Sequence, residues 1–266
     1  MNEPERNLVE AGYDAVYATM SNSPTLRRLW REHAAGLDFP EEFSHISFVT
    51  LSQLSRMAAE LRLSPGETLV DLGCGLAGPA LWMARRTGAK LVGVDLSTVA
   101  VAQANARAVA LGLGDVATFA VGTFAETGLP NGSADGIMSE DALQYAPDKP
   151  LALAEAARIT RRGGRLVFTA FELDPAHVAG LPVIGADPVD DYRPLVKATG
   201  FSVDAYEEVP GWPEPMTAAY SAVLAAKETL VGEMGETAVA ALSTEMSLTL
   251  ARAPYRRRVL AVATKM

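Results

Sequence analysis

Short runs of apolar residues alternate along the chain with longer segments whose apolar residues recur at helical spacing. The apolar runs predict strands at 67–72, 90–95, 116–121, 134–139, 164–171, 201–209 and 255–264. The segments with helical spacing predict helices at 78–87, 98–112, 148–161 and 188–199. Because strands and helices alternate, the pattern predicts an α/β fold: a doubly wound, mostly parallel sheet of seven strands with helices on both faces.

Two helical blocks are expected outside this alternating core. Residues from about 6 to 61 predict two or three helices, and residues from about 214 to 250 predict a helical pair inserted between the last two strands. Ligands of open α/β sheets bind beyond the carboxyl ends of the strands, so we expect both blocks to cover that edge. The chain is therefore predicted to be one domain over 1–266, made of a helical lid (1–61), a cofactor-binding core (62–209), a helical substrate cap (210–252) and a last strand (253–266).

The most informative segment is Leu-Val-Asp-Leu-Gly-Cys-Gly-Leu-Ala-Gly at 69–78. It follows a predicted strand and leads into a predicted helix. The spacing of Gly73, Gly75 and Gly78 matches the Gly-x-Gly-x-x-Gly pattern of dinucleotide-binding turns. Asp95, at the end of the next strand, is the acidic residue about twenty positions later that binds a ribose in such sites. The ligand is therefore expected to contain adenosine.

Two neighbouring residues argue against a pyrophosphate in this turn. Asp71 would repel the phosphates of a dinucleotide, and Pro79 lacks the backbone N–H that a phosphate would use at the helix N-terminus. A ligand that combines adenosine with a positively charged amino acid fits the acidic surroundings better, as S-adenosylmethionine does. An NAD-dependent oxidoreductase remains a remote alternative, because the glycine spacing alone would allow it.

At this point the chain resembles the class I S-adenosylmethionine-dependent methyltransferases. It is similar in particular to their small-molecule group, which includes ubiquinone and menaquinone C-methyltransferases and many natural-product enzymes. The resemblance implies a Rossmann-like sheet with an antiparallel last strand and S-adenosyl-L-methionine as the cofactor. The segments that carry it, in order, are Val-Asp-Leu-Gly-Cys-Gly (70–75), Gly-Val-Asp-Leu-Ser (93–97), Leu-Pro-Asn-Gly-Ser-Ala-Asp-Gly-Ile-Met-Ser (129–139) and Arg-Ile-Thr-Arg-Arg-Gly-Gly-Arg-Leu-Val-Phe (158–168).

The resemblance also implies residues that bind the cofactor. Gly73 and Gly75 would let the backbone approach its methionine end, and Asp71 would hold its amino group. Asp95 would accept both ribose hydroxyls, and Leu96 would pack on the adenine.

Further cofactor contacts are expected around this motif. Thr123 stands where the family often has Asp to bind the adenine amino group, and Phe124 follows it. Cys74 is expected to line the turn as a small buried hydrophobe. Glu140 would hold the cofactor after the fourth strand, and Tyr17 would close over it from the lid.

Methyl transfer to oxygen or carbon also calls for a base near the transferred methyl group. Glu140 and Gln144 follow the fourth strand, whose tip should face that group, and both are catalytic candidates. His45, in the lid, is the third, because a neutral imidazole is a natural base near pH 7. A structural role remains open for each. No His, Cys or carboxylate set has the spacing of metal ligands, so no metal is expected.

Composition restricts the partners. The 266 residues carry a net charge of −9, which opposes nucleic-acid binding, and the basic run at 256–258 is expected to lie on a solvated face. No apolar stretch approaches 18 residues and the N-terminal residues are polar, so we expect no membrane span, no signal peptide and a cytoplasmic location. A small-molecule substrate is expected, and the sequence leaves a homodimer open.

The predicted function is methyl transfer to oxygen or carbon of a small, largely apolar metabolite, within secondary metabolism. The helical blocks are rich in Leu, Ala, Val and Met, which suits an apolar ligand. The main alternative keeps the fold and the cofactor but uses the cofactor structurally for cyclisation or decarboxylation.

Overall fold

The computed structural model describes residues 3–178 and 188–266, with side chains from residue 12 onward apart from that of 178. Within this part of the chain, seven strands form one sheet in the order β3-β2-β1-β4-β5-β7-β6. Strands β1 to β5 run parallel, and β7 lies antiparallel between β5 and β6. The predicted fold class, including the antiparallel last strand, is confirmed. The strands are β1 (Thr68–Leu72), β2 (Lys90–Asp95), β3 (Ala117–Val121), β4 (Ala134–Glu140), β5 (Thr160–Leu173), β6 (Phe201–Glu208) and β7 (Arg256–Lys265).

Helices flank the sheet and build the two blocks outside it. None of the described helices is both long enough and apolar enough to cross a membrane. The described helices are α1 (Glu3–Met20), α2 (Pro24–Trp30), α3 (Leu51–Leu61), α4 (Gly78–Thr87), α5 (Thr98–Ala110), α6 (Lys149–Ile159), α7 (Pro175–Val178), α8 (Arg193–Ala198), α9 (Pro213–Ala225), α10 (Lys227–Met234) and α11 (Glu236–Arg252).

Three predictions about individual elements were wrong. The helix expected at 188–199 is only α8, because Pro194 sits in its first turn and Asp191 accepts a hydrogen bond from the Arg193 N–H at 2.8 Å. Strand β5 begins at 160 rather than 164, because Gly163, with φ +75°, lies within the strand where its pairing with β4 shifts register. The inserted block has three helices rather than two, because α9 ends at Ala225 and α10 begins at Lys227, and Gly235, with φ +83°, then separates α10 from α11.

The lid and the inserted block share the core of the sheet domain. One buried apolar cluster runs from α2 and α3 through one face of the sheet to α9, α10 and α11, and a second cluster fills the opposite face beneath α6 and α8. Helix α1 packs against α11 and α5. The two helical blocks therefore meet above the carboxyl edge of the sheet and enclose the space between them.

Candidate functional site

A cavity of about 860 Å³ lies at the carboxyl ends of β1, β2 and β4. Its floor is formed by the turns that follow these strands, and its walls come from α1, residues 45–48 and α11. A volume of this size is in the range of ligand sites in proteins.

The turn after β1 depends on glycine for its shape and for close contacts. Gly73 and Gly75 have φ values of +75° and +49°, in the left-handed region that favours glycine. A Cβ on Gly75 would lie 3.0 Å from the Tyr17 hydroxyl, and one on Gly73 would lie 2.7 Å from the Ala142 Cβ. A Cβ on Gly78 would lie 2.2 Å from the Phe43 carbonyl oxygen. The turn is therefore a cradle of bare backbone against which a ligand can lie.

Asp95 fixes this turn to the end of β2. Its two oxygens accept hydrogen bonds from the Gly75 N–H at 2.8 Å and from the Ser97 N–H at 2.9 Å. Burial raises the pKa of its carboxyl, although these bonds act in the opposite direction. Each carboxylate oxygen retains a second lone pair, so the group can still accept hydroxyl protons from a ribose.

Asp71 and Glu140 place two buried carboxyls beside the turn. Burial, and then Asp95, raises the pKa of Asp71 to about 8; burial, and then Asp71, raises that of Glu140. Asp71 Oδ1 and Glu140 Oε1 are buried without a hydrogen-bond partner, and neither carboxyl pairs with a cation among the described residues. A positively charged ligand group would supply the missing partner. The turn and its acidic neighbours therefore fit the ammonium and sulfonium of S-adenosylmethionine.

The other predicted cofactor residues also line this cavity. Leu96, Thr123 and Phe124 follow β2 and β3, and the Phe124 ring lies 2.9 Å from the position of a Cβ on Gly73. The Thr123 hydroxyl accepts a hydrogen bond from the Glu126 N–H at 3.0 Å. Cys74 is buried, which raises the pKa of its thiol, so it stays neutral and contributes apolar surface.

His45 lies in the segment between α2 and α3 and faces the cavity. Its Nδ1 is 3.0 Å from the Ser47 hydroxyl oxygen, and its ring meets Phe39 edge-on at 4.4 Å between centroids. Burial lowers the pKa of His45 to about 4, so the ring is neutral at physiological pH. Its Nε2 is buried without a partner.

Gln144 also lines the cavity, but both ends of its amide are engaged. Its Nε2 donates to the Asp141 carbonyl oxygen, and its Oε1 accepts from the Phe171 N–H at 3.4 Å. These bonds hold the loop after β4 against β5. They fit a positioning role, and the predicted catalytic role of Gln144 stays a prediction.

Asp141, beside Glu140, is held in a buried ion pair. Its Oδ1 accepts from Arg258 Nε at 2.8 Å, and its Oδ2 accepts from the Phe48 N–H at 2.8 Å. Arg258 also donates to Gln53 Oε1 at 2.8 Å. The pair therefore joins the β4 tip, the last strand and the lid segment that walls the cavity.

The expectation of a solvated face for residues 256–258 was wrong. Arg258 is fully buried, and Arg256 lines the cavity with its guanidinium 4.8 Å from the centre of the Phe171 ring. The reason is topological: β7 is an inner strand, so Arg258 points into a packed layer, whereas Arg257, on the opposite face, keeps 42% of its side chain exposed. A run of three arginines gives no sign of this in the sequence.

Several cavity residues were missed by the sequence analysis because they come from distant segments. Glu245, on α11, accepts a hydrogen bond from the Tyr145 hydroxyl at 2.6 Å. Trp30, Phe48 and Tyr220 form an aromatic wall, with Phe48 5.3 Å from Trp30 and 5.5 Å from Tyr220 between ring centroids. Trp30, Tyr220 and Glu245 lie on helices, and Phe48 lies in the segment before α3. In the sequence each of them resembles an ordinary core or surface residue, so no sequence signal could have found them.

Comparison with known proteins agrees with this geometry. Residues 70–168 match the model of a methyltransferase domain. The chain is 27% identical to 27-O-demethylrifamycin SV methyltransferase of Amycolatopsis mediterranei, over 81% of each chain. It is 29% identical to methyltransferase GfsG of Streptomyces halstedii, over 68% of each chain. Its fold is similar to that of the [4+2]-cyclase SpnF, with a TM-score of 0.76 and 22% identity over 97% of this chain and 94% of the other.

The matched segment runs from the glycine turn through Asp95 to β5, and thus spans the cradle and its acidic neighbours. The same residues carry the resemblance found in the sequence. Residues 70–168 therefore carry a methyltransferase domain, and the comparisons support an S-adenosylmethionine-dependent methyltransferase, an enzyme that uses this cofactor.

Proposed function

We propose that the enzyme transfers a methyl group to oxygen or carbon of a small, largely apolar metabolite, as in secondary metabolism. The observation that carries this proposal is a cavity lined on one side by the acidic glycine turn and on another side by an aromatic wall. A charged nucleoside suits the first side, and an apolar acceptor suits the second.

On the cofactor side, the proposal assigns roles to the residues of the turn. When bound, S-adenosylmethionine supplies a methyl carbon on a positively charged sulfur. Asp71 and Glu140 would hold its cationic end, because their buried carboxyls otherwise lack a partner. Asp95 would accept the ribose hydroxyls, and Gly73 and Gly75 would admit the ligand against bare backbone.

The remaining predicted residues would enclose the adenosine. Leu96, Phe124 and Cys74 offer apolar surface, and Thr123 offers a hydroxyl at the adenine end. Tyr17 lies against the turn from α1 and would cover the ligand. Helix α1, which carries Tyr17, also packs on α11, so the helix that covers the cofactor contacts a helix that walls the acceptor side.

On the acceptor side, the aromatic wall would orient the substrate and exclude water. Trp30, Phe48, Tyr220 and Phe171 present ring surface to the cavity, which favours a ligand of low polarity. Alignment of the nucleophile and exclusion of water supply much of the rate in a displacement of this kind. The relative from Amycolatopsis is named as the methyltransferase of 27-O-demethylrifamycin SV, a name that refers to an oxygen lacking its methyl group and so supports oxygen as the accepting atom.

His45, as predicted from the sequence, is one candidate for removing the proton of the acceptor. The neutral ring and its unpartnered Nε2 support this role. Its pKa of about 4 makes it a weak base, however, and the cavity offers a second proton acceptor, considered below. A homodimer and a cytoplasmic location stay predictions.

Incubation with methyl-labelled S-adenosylmethionine and a pool of phenols, quinones and polyketides tests the proposal. We expect label in an acceptor whose mass rises by one methylene group. A product without added mass would favour the alternative, in which the cofactor serves structurally for cyclisation or decarboxylation. Label in none of the pool, despite firm binding of adenosylhomocysteine, would contradict methyl transfer to this class of acceptor.

A further inference from the structure

A buried polar cluster forms where the lid, the loop after β4 and the inserted helices meet. Tyr145 donates its hydroxyl to Glu245 at 2.6 Å. Tyr13, on α1, meets the Tyr145 ring edge-on at 5.9 Å and stacks on Tyr17 at 6.0 Å between centroids. The cluster thus extends from the side chain that touches the glycine turn to the carboxyl of α11.

Glu245 faces the cavity from the acceptor side. Its neighbours on α11, Leu242 and Met246, are buried and apolar, and all three line the cavity. The carboxyl has one oxygen bonded to Tyr145. A carboxylate accepts about four hydrogen bonds, so beyond those from Tyr145 and Tyr13 this carboxyl retains lone pairs for a donor from the cavity.

The charges around Glu245 suit a proton acceptor. Burial raises the pKa of its carboxyl, whereas the bond from Tyr145, the charge of Arg256 and the Tyr13 hydroxyl act in the opposite direction. Burial also raises the pKa of the Tyr13 and Tyr145 hydroxyls, so both stay protonated as donors. A carboxyl whose pKa is moved towards neutrality is better matched to general-base work than a free one.

The position of the cluster relative to the glycine turn is set by Tyr17. Its hydroxyl lies near the Cβ position of Gly75, and its pKa is raised by burial first and then by Asp95, Cys74 and Glu245. Tyr17 is therefore within electrostatic range of both the turn and Glu245. An acceptor placed beneath α11 would lie between the two.

Resting on the proposed function, we infer that Glu245 is a catalytic base that anchors the acceptor hydroxyl of the substrate, with Tyr145 holding the carboxylate in place. The substrate class is thereby narrowed to an apolar molecule that carries a hydroxyl group. In the step, the substrate O–H bond breaks, an O–H bond forms on the Glu245 carboxyl, and the electron pair stays on the acceptor oxygen. That oxygen would form a bond to the methyl carbon while the methyl–sulfur bond of S-adenosylmethionine breaks, and the electron pair of that bond would leave with the sulfur as S-adenosylhomocysteine. Glu245 would return its proton to solvent after the product leaves.

Binding of a matched pair of probes tests the anchor without any catalysis. We would measure the dissociation constants of 1-naphthol and naphthalene, by equilibrium dialysis, on the full chain saturated with adenosylhomocysteine. Glu245→Gln keeps the shape of the side chain and removes its charge. Glu236→Gln, at an exposed position on the same helix, is the matched control.

We expect the unaltered enzyme and E236Q to bind 1-naphthol at least about tenfold more tightly than naphthalene, because a site built for a hydroxyl rejects the analogue that lacks it. In E245Q the ratio of the two dissociation constants should be at least about tenfold smaller than in the unaltered enzyme. The inference is overturned if the unaltered enzyme does not prefer 1-naphthol to naphthalene, and a failure to bind 1-naphthol counts as this outcome. It is also overturned if E245Q retains the preference, or if E236Q loses the preference as much as E245Q does.

Turnover supplies the second measurement. With an acceptor found in the pooled assay, E245Q should lose about 10²–10⁴-fold in kcat while its affinity for adenosylhomocysteine changes by less than about twofold. An unchanged kcat would remove Glu245 as the base. The naphthol preference and methyl transfer are separate readouts, so failure of the anchor can be told from failure of the proposed function.

Discussion

Replacing Arg258 with methionine removes the cation of the buried ion pair that ties the lid to the sheet. The Arg258 side chain is 0% exposed and that of Asp141 is 5% exposed, with Nε and Oδ1 2.8 Å apart. The substitution leaves Asp141 with the Phe48 N–H as its remaining partner on that carboxylate, and it leaves Gln53 Oε1 without its donor. A buried carboxylate is thus left without its counter-charge.

The size of the effect follows from this burial. Removal of one partner of a buried pair costs about 3–5 kcal/mol in the free energy of unfolding. Domains of this kind have about 5–15 kcal/mol in total, so Arg258→Met should remove a large part of the stability. The double variant Asp141→Asn with Arg258→Met should recover part of the loss, because no uncompensated charge then remains.

Urea unfolding followed by circular dichroism measures these free energies. The matched control is Arg56→Met, which breaks a two-bond contact with Glu207 at 2.9 and 3.1 Å, with both side chains about half exposed. The control should lose no more than about 1 kcal/mol. If Arg258→Met costs as little as the control, or if the double variant is no more stable than the single one, the reasoning about the buried pair is wrong.

Three further predictions concern the cavity. Asp71 has a pKa of about 8 in the folded protein, so the stability that its protonated form contributes is fully present below the pKa that Asp71 has in the unfolded chain and is lost as the pH rises through 8. A cationic ligand binds the charged form of Asp71, so affinity for S-adenosylmethionine should fall by up to about tenfold per pH unit below 8. Calorimetry should then detect protons released on binding. A pH-independent affinity, with no proton release, would refute this. Gly75→Ala should weaken adenosylhomocysteine binding at least about tenfold, since its Cβ would crowd Tyr17; Gly211→Ala, with φ +69° and open space around it, should leave that affinity unchanged. His45→Ala should leave cofactor affinity unchanged and reduce kcat less than E245Q does; the reverse order would return the role of base to His45.

The sheet could be predicted because its signals are local. The apolar runs of β1 and β2, and the Ser97 cap that accepts a hydrogen bond from the Ala100 N–H at 3.0 Å, place the first elements within a residue or two. The early start of β5 depends on a tertiary contact with β4, whereas α8 is shortened by local features, Pro194 and the hydrogen bond between Asp191 and Arg193. The local propensity of a segment cannot predict a β-bulge, because the bulge arises from pairing with a neighbouring strand.

The cofactor side of the site could likewise be predicted from the sequence. Asp71, Gly73, Gly75 and Asp95 lie within 25 positions of one another in the sequence, and parallel strands bring their carboxyl ends to the same edge. The acceptor side could not be predicted from the sequence. Tyr145 and Glu245 are separated by 100 residues, and the packing of α11 on α1, α9 and α10 brings Glu245 to the cavity.

The sequence by itself determined the order of strands and helices, the glycine turn and its acidic neighbours, because each of these depends on residues close together in the chain. The tertiary structure decided which side chains the helical blocks present to the cavity and which arginines of 256–258 are buried. Burial and charge pairing depend on distant segments that meet only when the helical blocks pack onto the sheet. The periodicity of an amphipathic helix shows which face is apolar, but it does not show which element that face will contact.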